Sequence, residues 1–171
     1  MEKHFASEAQ TILDGFRLGT QIYASGFRPS FIVGVWRGGA SVGIVVQECL
    51  ATFGVETDHI ALRTSYQSRE EYESTARSGR AIRVHGKQYL LETMNRDDRL
   101  LIVDDVYSSG RHTRAVISAL EQGLKRNMPE QVRVASLWYR SDESGEQNKP
   151  DYFVHATQDW IVLPFEVASL S

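Results

Sequence analysis

The chain has little of what marks several common protein classes. Its 171 residues include one cysteine, Cys49, so no disulfide can form within the chain and a reducing compartment fits. No apolar run reaches the length of a membrane span, and residues 1–10 lack the apolar core of a signal peptide. No His/Cys cluster has the spacing of a zinc site. We therefore expect a cytoplasmic protein that does not contact a membrane.

Positive charge is not in excess either. The formal net charge is -3, which argues against non-specific nucleic-acid binding because that requires a basic surface. A small polyanionic substrate stays compatible with this charge, since a single pocket can be locally positive. Apolar residues make up 42% and charged residues 24%, an ordinary balance for a globular protein. The length and the lack of repeats or linkers predict one domain over residues 1–171.

Short apolar segments alternate with segments of helical periodicity. The pattern predicts helices over 5–24, 40–53 and 111–125, and strands over 31–36, 60–63, 100–103, 132–138, 152–154 and 160–163. Residues 65–86 are polar and predict a long loop that closes with a short hairpin at 81–91. The alternation predicts an α/β fold with a mainly parallel sheet flanked by helices. Ligands of such sheets bind beyond the carboxyl ends of strands, which would bring together residues 36–39, 104–113 and the segment after Arg63.

The segment LLIVDDVYSSGRHTRAVISAL, residues 100–120, carries the most chemical information. A predicted buried strand ends in Asp104 and Asp105, and a small hydroxyl-rich turn at 108–110 leads into a helix. Backbone amides at a helix N-terminus can hold a phosphate, and serine and threonine hydroxyls add donors. Two acids beside such a cradle suit sugar hydroxyls, gripped directly or through a metal. The residues therefore indicate a sugar-phosphate site.

Two other interpretations of this segment are open. The first is a plain strand-to-helix turn in which the aspartates and serines act only as caps. The second is a phosphoacceptor aspartate, as in receiver domains, although the chain offers no obvious lysine near a late strand as its partner.

In its order of residues, VDDVYSSGRHT resembles the phosphoribosyl-pyrophosphate signature of the type I phosphoribosyltransferases. The resemblance extends over most of the chain and is greatest to the 6-oxopurine enzymes. It implies the type I fold, with a small C-terminal base-binding hood and a long mobile lid loop. It also implies transfer of the 5-phosphoribosyl group to hypoxanthine, guanine or xanthine in purine salvage, with Mg²⁺ as cofactor and a homo-oligomer, dimer or tetramer, as the assembly.

The resemblance also implies a role for each motif. Asp104 and Asp105 would hold the ribose diol and the metal, and Ser108 completes the catalytic set. Phosphoribosyl pyrophosphate would be bound by the pyrophosphate loop, with a cis peptide at Trp36-Arg37, by the start of the lid, and by the phosphate turn. These residues are Trp36, Arg37, Gly38, Gly39, Ser65, Tyr66, Ser109, Gly110, Arg111, His112 and Thr113.

The C-terminal stretch KPDYFVHATQDWIVLPFE resembles the base-binding end of the xanthine-guanine enzymes. The resemblance implies that Trp160 stacks on the purine, that backbone groups of Ile161 read its edge, and that Arg140 donates to the 6-oxo group. Glu166 would contact the far edge of the purine or a second metal. A tryptophan in a core is the alternative for Trp160, and a plain turn is the alternative for Arg-Gly-Gly.

Three positions depart from the purine pattern. Ser108 stands where the purine enzymes usually have an aspartate, His112 where they keep a threonine, and Arg140 where many use a lysine. A serine cannot take up a proton as a carboxylate can. The rival function is therefore a regulatory or weakly active protein of the same fold, such as a uracil phosphoribosyltransferase or pyrimidine-operon attenuator, which resembles this chain around VDDV…GR…RA.

Overall fold

The computed structural model describes residues 2–65, 82–141 and 149–166. Helix α1 spans Glu8–Ala24, α2 Gly38–Thr52, α3 Gln88–Thr93 and α4 Arg111–Leu124, and a 3-10 turn, Lys125–Asn127, follows α4. The strands are β1 (Lys3–Phe5), β2 (Phe31–Trp36), β3 (Asp58–Ser65), β4 (Arg83–His85), β5 (Arg99–Tyr107), β6 (Gln131–Arg140), β7 (Tyr152–Thr157) and β8 (Trp160–Val162).

Six strands form the main sheet in the order β4-β3-β2-β5-β6-β7, and β1 pairs with β8 in a separate two-stranded sheet. Every neighbouring pair in the main sheet is parallel except β3 and β4, which run antiparallel. The predicted α/β fold, a mainly parallel sheet with flanking helices, is therefore confirmed. None of the helices in the described ranges combines the length and apolar character that a membrane span requires.

Side-chain alternation along the central strands gives the main sheet two apolar faces. Ile32, Leu101 and Leu137 point to the face covered by α1 and α2. Val33 and Ile102 point to the opposite face, covered by α3 and α4. All five residues have no exposed surface, so the inner strands are buried on both sides, as parallel strands usually are.

The first predicted helix begins later than the periodicity suggested. The Ser7 hydroxyl accepts a hydrogen bond from the Gln10 amide at 3.1 Å and caps α1, which therefore starts at Glu8 rather than at residue 5. Residues 3–5 form β1 instead, although Phe5 itself is 56% exposed. The prediction of a helix over 5–24 was wrong at its start because these residues have a strand partner 155 or more positions away in sequence, Trp160–Val162.

The predicted hairpin at 81–91 was also wrong. Strand β4 pairs with the end of β3, where Ser65 faces Arg83 and Arg63 faces His85, and residues 88–93 form helix α3. Leu90, which has no exposed surface, anchors α3 in the core on the α4 side of the sheet. Helix α3 is favoured over a second hairpin strand because it buries the Leu90 side chain in this core.

The central position of β5 yields a stability prediction. Ile102→Ala should lower the free energy of unfolding by about 2–5 kcal/mol, because a buried side chain is lost and a cavity remains. Ile44→Ala is the matched control, since Ile44 on α2 is 56% exposed and its truncation should cost roughly 0.5 kcal/mol or less. Urea denaturation of both variants measures the difference, and equal losses would contradict the central placement of β5.

Candidate active site

The strand order reverses between β2 and β5. From β2 the chain moves outward to β3 on one side, and it returns to β5 on the other side. The connections after β2 and β5 therefore leave the sheet in opposite directions, and a crevice opens between the carboxyl ends of these two strands. Such a switch point is where open parallel sheets bind ligands.

Strand β5 continues beyond its pairing with β2. The last pair between them is Gly34 with Val103, whereas β5 stays paired to β6 up to Tyr107 opposite Tyr139. Asp104 and Asp105 therefore lie within the strand, whereas the sequence had suggested a strand that ends at residue 103. The longer β6 supplies the partner that keeps the acid pair in an extended backbone at the edge of the crevice.

The connection after β2 is short and lies against the acid pair. The Trp36-Arg37 peptide bond is cis, as the resemblance implied, and α2 begins at once with Gly38. Gly38 and Gly39 are thus the first turn of the helix and not a free loop. A methyl group at Gly38 would overlap the Asp105 carboxylate, and one at Gly39 would overlap the Val103 carbonyl oxygen. Only glycine lets α2 approach β5 this closely.

The two carboxyl groups of the acid pair differ in environment. The Asp104 Oδ1 atom accepts a hydrogen bond from the Asp105 amide at 3.0 Å, and the Asp105 Oδ1 atom accepts one from the Val106 amide at 2.8 Å. Part of Asp104 is accessible, but protein atoms surround its carboxyl group. This burial, and secondly the charge of Asp105, raise the pKa of Asp104 well above its ordinary value. A cation or a pair of hydroxyl donors at this position would favour the ionised form.

The phosphate turn leads into α4 through a left-handed residue. Gly110 has φ +66° and is the N-cap of α4, and a side chain there would collide with the Tyr107 hydroxyl. The amides of the first turn of α4 thus start beside the acid pair. Thr113, predicted to bind the sugar donor, is only 1% exposed, and its hydroxyl donates to the Gly110 carbonyl at 2.9 Å. In this arrangement the hydroxyl shapes the turn.

His112, in the first turn of α4, faces the same crevice. Its Nδ1 atom lies 2.8 Å from the Thr64 hydroxyl at the end of β3. Burial, followed by the charge of Arg111, lowers the pKa of His112, while Asp105 acts in the opposite direction. The neutral imidazole is therefore favoured near pH 7. His112 would thus contribute hydrogen bonds, and little positive charge, to a phosphate.

One cavity of about 360 Å³ joins Asp105 of the acid pair to the C-terminal segment. Its floor comes from β5 and α4 and its other wall from β8 and the residues that follow. The lining residues are Asp105, Val106, Ser108, His112, Arg140, Trp160, Ile161, Leu163 and Glu166. The cavity therefore collects all four residues predicted to bind a base, Arg140 from β6 and Trp160, Ile161 and Glu166 from the C-terminal segment.

The wall formed by β6 and β8 carries a planar surface and a cation. Trp160 is 48% exposed, so it is not a core tryptophan, and the Arg140 guanidinium lies 4.9 Å from its ring centroid. Arg140 also donates from Nη2 to the Ser108 hydroxyl oxygen at 3.1 Å. Glu166 is held at the far side, where its Oε2 atom accepts from the Leu163 amide at 2.9 Å. The cavity thus offers an aromatic face, a fork of N–H donors and a carboxylate.

The remaining predicted residues lie around the cavity and do not line it. Trp36 and Arg37 are exposed at the end of β2, and Ser109 and Arg111 flank Gly110 in the turn before and at the start of α4. The Ser65 hydroxyl lies 2.8 Å from Nε2 of His85, which ties the end of β3 to β4. Tyr66, and with it most of the predicted lid loop, lies outside the described residues.

Several residues that shape the candidate site were not predicted from the sequence. Thr64 orients His112, His85 holds Ser65, and the side chain of Phe165 approaches Gly38 next to Asp105. Val106 and Leu163 line the cavity. Thr64 could have been found, since it immediately precedes Ser65 at a strand end. Phe165 and His85 have no local signal because their contacts depend on segments distant in sequence.

Comparison with solved structures gives high similarity over nearly the full length. A purine phosphoribosyltransferase from Pyrococcus horikoshii OT3 is 24% identical with a TM-score of 0.70, over 97% of this chain and 95% of that one. A xanthine-guanine-hypoxanthine phosphoribosyltransferase from Helicobacter pylori is 18% identical with a TM-score of 0.68, over 99% and 97%. A hypothetical protein from Neisseria gonorrhoeae with bound ppGpp is 16% identical with a TM-score of 0.72, over 97% and 90%.

At these identities the structural similarity establishes the fold alone. Comparison with curated proteins finds no match to the chain. The sequence itself matches the model of the phosphoribosyl transferase domain over residues 10–170, which includes β2, the acid pair, the phosphate turn and β8. With this match and the fold in agreement, the chain belongs to the phosphoribosyl transferase domain family.

Proposed function

We propose that this phosphoribosyltransferase transfers the 5-phosphoribosyl group from phosphoribosyl pyrophosphate to a 6-oxopurine base, releasing pyrophosphate. The observation that carries the proposal is the single cavity shared by Asp105 of the acid pair and by Trp160. A sugar held at the acids would direct its anomeric carbon toward a base lying on the indole. Positioning of the two reactants then supplies much of the rate acceleration.

The acid pair fits the sugar and a divalent cation. Magnesium takes few protein carboxylates and fills its remaining positions with substrate and water oxygens. Asp104 and Asp105 would hold the ribose diol and the ion, and the ion would neutralise charge on the departing pyrophosphate. The raised pKa of Asp104 supports this role, because an ionised carboxylate is unfavourable there until positive charge or hydroxyl donors arrive.

The two ends of the sugar donor have separate anchors. The first-turn amides of α4, with the hydroxyl of Ser109, would hold the 5-phosphate at the positive end of the helix dipole. The pyrophosphate would lie against the start of α2, where Arg37 is exposed and the amides of Gly38 and Gly39 begin the helix. Both anions thus meet helix N-termini on either side of the acid pair.

The base would lie between the Trp160 ring and the β5 side of the cavity. Arg140 would donate to the 6-oxo group, since a guanidinium presents several N–H donors in one plane. Backbone groups near Ile161 and the carboxylate of Glu166 would meet the opposite edge. Ser108 can orient the base by hydrogen bonding, but it cannot take up the proton that the base loses on forming the glycosidic bond.

A direct assay tests the proposal. The protein is incubated with phosphoribosyl pyrophosphate, Mg²⁺ and, separately, hypoxanthine, guanine, xanthine, adenine or uracil, and nucleotide formation is followed. We expect turnover with one or more 6-oxopurines and loss of turnover on chelation of the metal. Turnover with uracil alone would favour the pyrimidine-type alternative, and no turnover with any base would refute the proposed activity.

Removing both carboxylates should remove the sugar site. Asp104→Asn with Asp105→Asn keeps the hydrogen-bond acceptors that face the Asp105 and Val106 amides, so the fold should persist. Turnover should fall by roughly 10³-fold or more, because electrostatic stabilisation of the transferring group is lost. Steady-state kinetics on every accepted base, with circular dichroism as the folding control, measures the effect. Near wild-type rates would show that the acids do not hold the sugar.

The same burial predicts that Asp104→Asn alone stabilises the substrate-free protein. The folded pKa is raised above the unfolded value, so the native state binds more protons between these two pKa values, and stability falls as pH rises through that interval. Asparagine removes this loss. The variant should therefore melt higher than wild type near pH 7, and the difference should shrink as the pH falls below about 3.9, the ordinary pKa of an aspartate, because Asp104 then becomes protonated in the folded and the unfolded state alike.

Calorimetry across that pH range measures the Asp104→Asn effect, with Asp97→Asn at an exposed site as control. A gain of 1 kcal/mol corresponds to about 2–4 °C for a chain of this size. A variant that melts at or below wild type at pH 7 contradicts the unfavourable burial of the Asp104 carboxylate.

Base affinity should depend on Trp160. Trp160→Ala should weaken the purine by about 1–3 kcal/mol, the range for stacking of a base on an aromatic side chain, and leave the sugar donor unaffected. Trp138→Ala provides the contrast, since Trp138 is 6% exposed and its truncation should cost about 3–5 kcal/mol of stability. Titration calorimetry with Mg²⁺ present separates the two ligands. Parallel losses of both affinities in Trp160→Ala would rule out a stacking role.

A further inference from the structure

Strand β8, which carries Trp160 and Ile161, lies apart from the main sheet. Within the described residues it pairs with β1 and with no other strand. The register sets Lys3 opposite Trp160 and His4 opposite Ile161. The amide of Trp160 donates to the Glu2 carbonyl at 2.9 Å. The backbone of the proposed base-binding strand is therefore held by residues near the start of the chain.

The hydrogen bonds to β8 come from His4 in β1 and from Glu2 and Ala6, the residues that flank β1. Besides the Glu2 carbonyl, the Ala6 amide donates to the Val162 carbonyl at 3.0 Å. Because backbone groups alternate in direction along a strand, the amide and carbonyl of His4 also point toward β8, and those of Lys3 and Phe5 point away. A change that removes the backbone amide should therefore weaken the contact with β8 at His4 and leave it intact at Lys3.

A column of side chains fixes β1 to the body of the protein. The His4 ring lies 5.0 Å from that of Trp138, which stacks on His155 at 4.3 Å. Nε2 of His155 is 2.6 Å from a carboxylate oxygen of Asp14, a residue of α1 that is 1% exposed. The other carboxylate oxygen of Asp14 accepts from Arg17 at 2.9 Å. The column joins α1, β7, β6 and β1.

We infer that β1 is a positioning element for the base, and that His4 is its positioning residue: its backbone holds β8 and its ring sets β1 on Trp138. The match to the family model begins at residue 10, so β1 precedes it. This inference rests on the proposed function, because it takes Trp160 as the base-stacking residue. In the proposed function the sugar donor is held by β5 and by the N-termini of α2 and α4, and β1 pairs with no strand of the main sheet that carries them.

A matched pair of proline variants tests the inference. His4→Pro removes an amide that points toward β8, whereas Lys3→Pro removes one that points away. His4→Pro should raise the KM for the purine by about tenfold, the effect of losing a hydrogen bond worth roughly 1.4 kcal/mol, with the affinity for phosphoribosyl pyrophosphate unchanged. Lys3→Pro should change neither. Hydrogen exchange should be faster at the Trp160 amide in His4→Pro and normal in β5.

Two further variants distinguish the contribution of the His4 ring from that of the His4 backbone. They also provide a test that does not depend on whether His4→Pro folds. His4→Gly retains the amide but removes the ring, and His4→Phe restores an aromatic ring over Trp138. The KM for the purine should rise in His4→Gly and return close to wild type in His4→Phe. If the wild type transfers to no base, the proposed function itself fails. If the wild type is active but all His4 variants match Lys3→Pro, the positioning role of β1 is wrong and the proposed function stands.

Discussion

The close approach of α2 to the acid pair is the contact on which the rest of the site depends. Gly38 and Gly39 bring the first turn of the helix against the Asp105 carboxylate and the Val103 carbonyl, where any side chain would overlap them. The crevice between β2 and β5 is therefore narrow, and its two sides are a helix N-terminus and a pair of acids. This pairing suits the proposed sugar donor, which combines anionic groups with hydroxyls.

Two electrostatic effects oppose each other at the Asp104 carboxyl group. The N-termini of α2 and α4 favour negative charge, while burial raises the pKa of Asp104 and disfavours its ionised form. In the substrate-free protein the second effect costs stability. Such a cost persists where function requires the group, since the same carboxylate becomes favourable once a cation or sugar hydroxyls occupy the crevice. The acid pair is thus better explained by ligand binding than by folding.

The sequence predicted the parts of the site that are local in the chain. The strand-turn-helix at residues 99–124 is determined by an apolar run, small turn residues and an amphipathic helix, all contiguous. The extension of β5 through Asp104 and Asp105 was missed because it depends on the length of β6. Strand β1 was missed for a similar reason: its three residues are exposed and are ordered by β8, at the other end of the chain. Long-range pairing of short strands leaves no periodic signal.

Two of the three departures from the purine pattern, Ser108 and Arg140, are coupled because the two side chains contact each other. Ser108 and Arg140 are 32 residues apart, yet the arginine donates to the serine hydroxyl at 3.1 Å. An aspartate at 108 beside a lysine at 140 would form an ion pair, whereas this chain has a neutral acceptor beside a wider, planar cation. The guanidinium is therefore not neutralised by residue 108 and also lies over Trp160. In the proposed base site the guanidinium can therefore direct its N–H donors at the acceptor edge of the base. It also explains why arginine accompanies serine here: a planar fork can contact the hydroxyl, the indole and a 6-oxo group from one position.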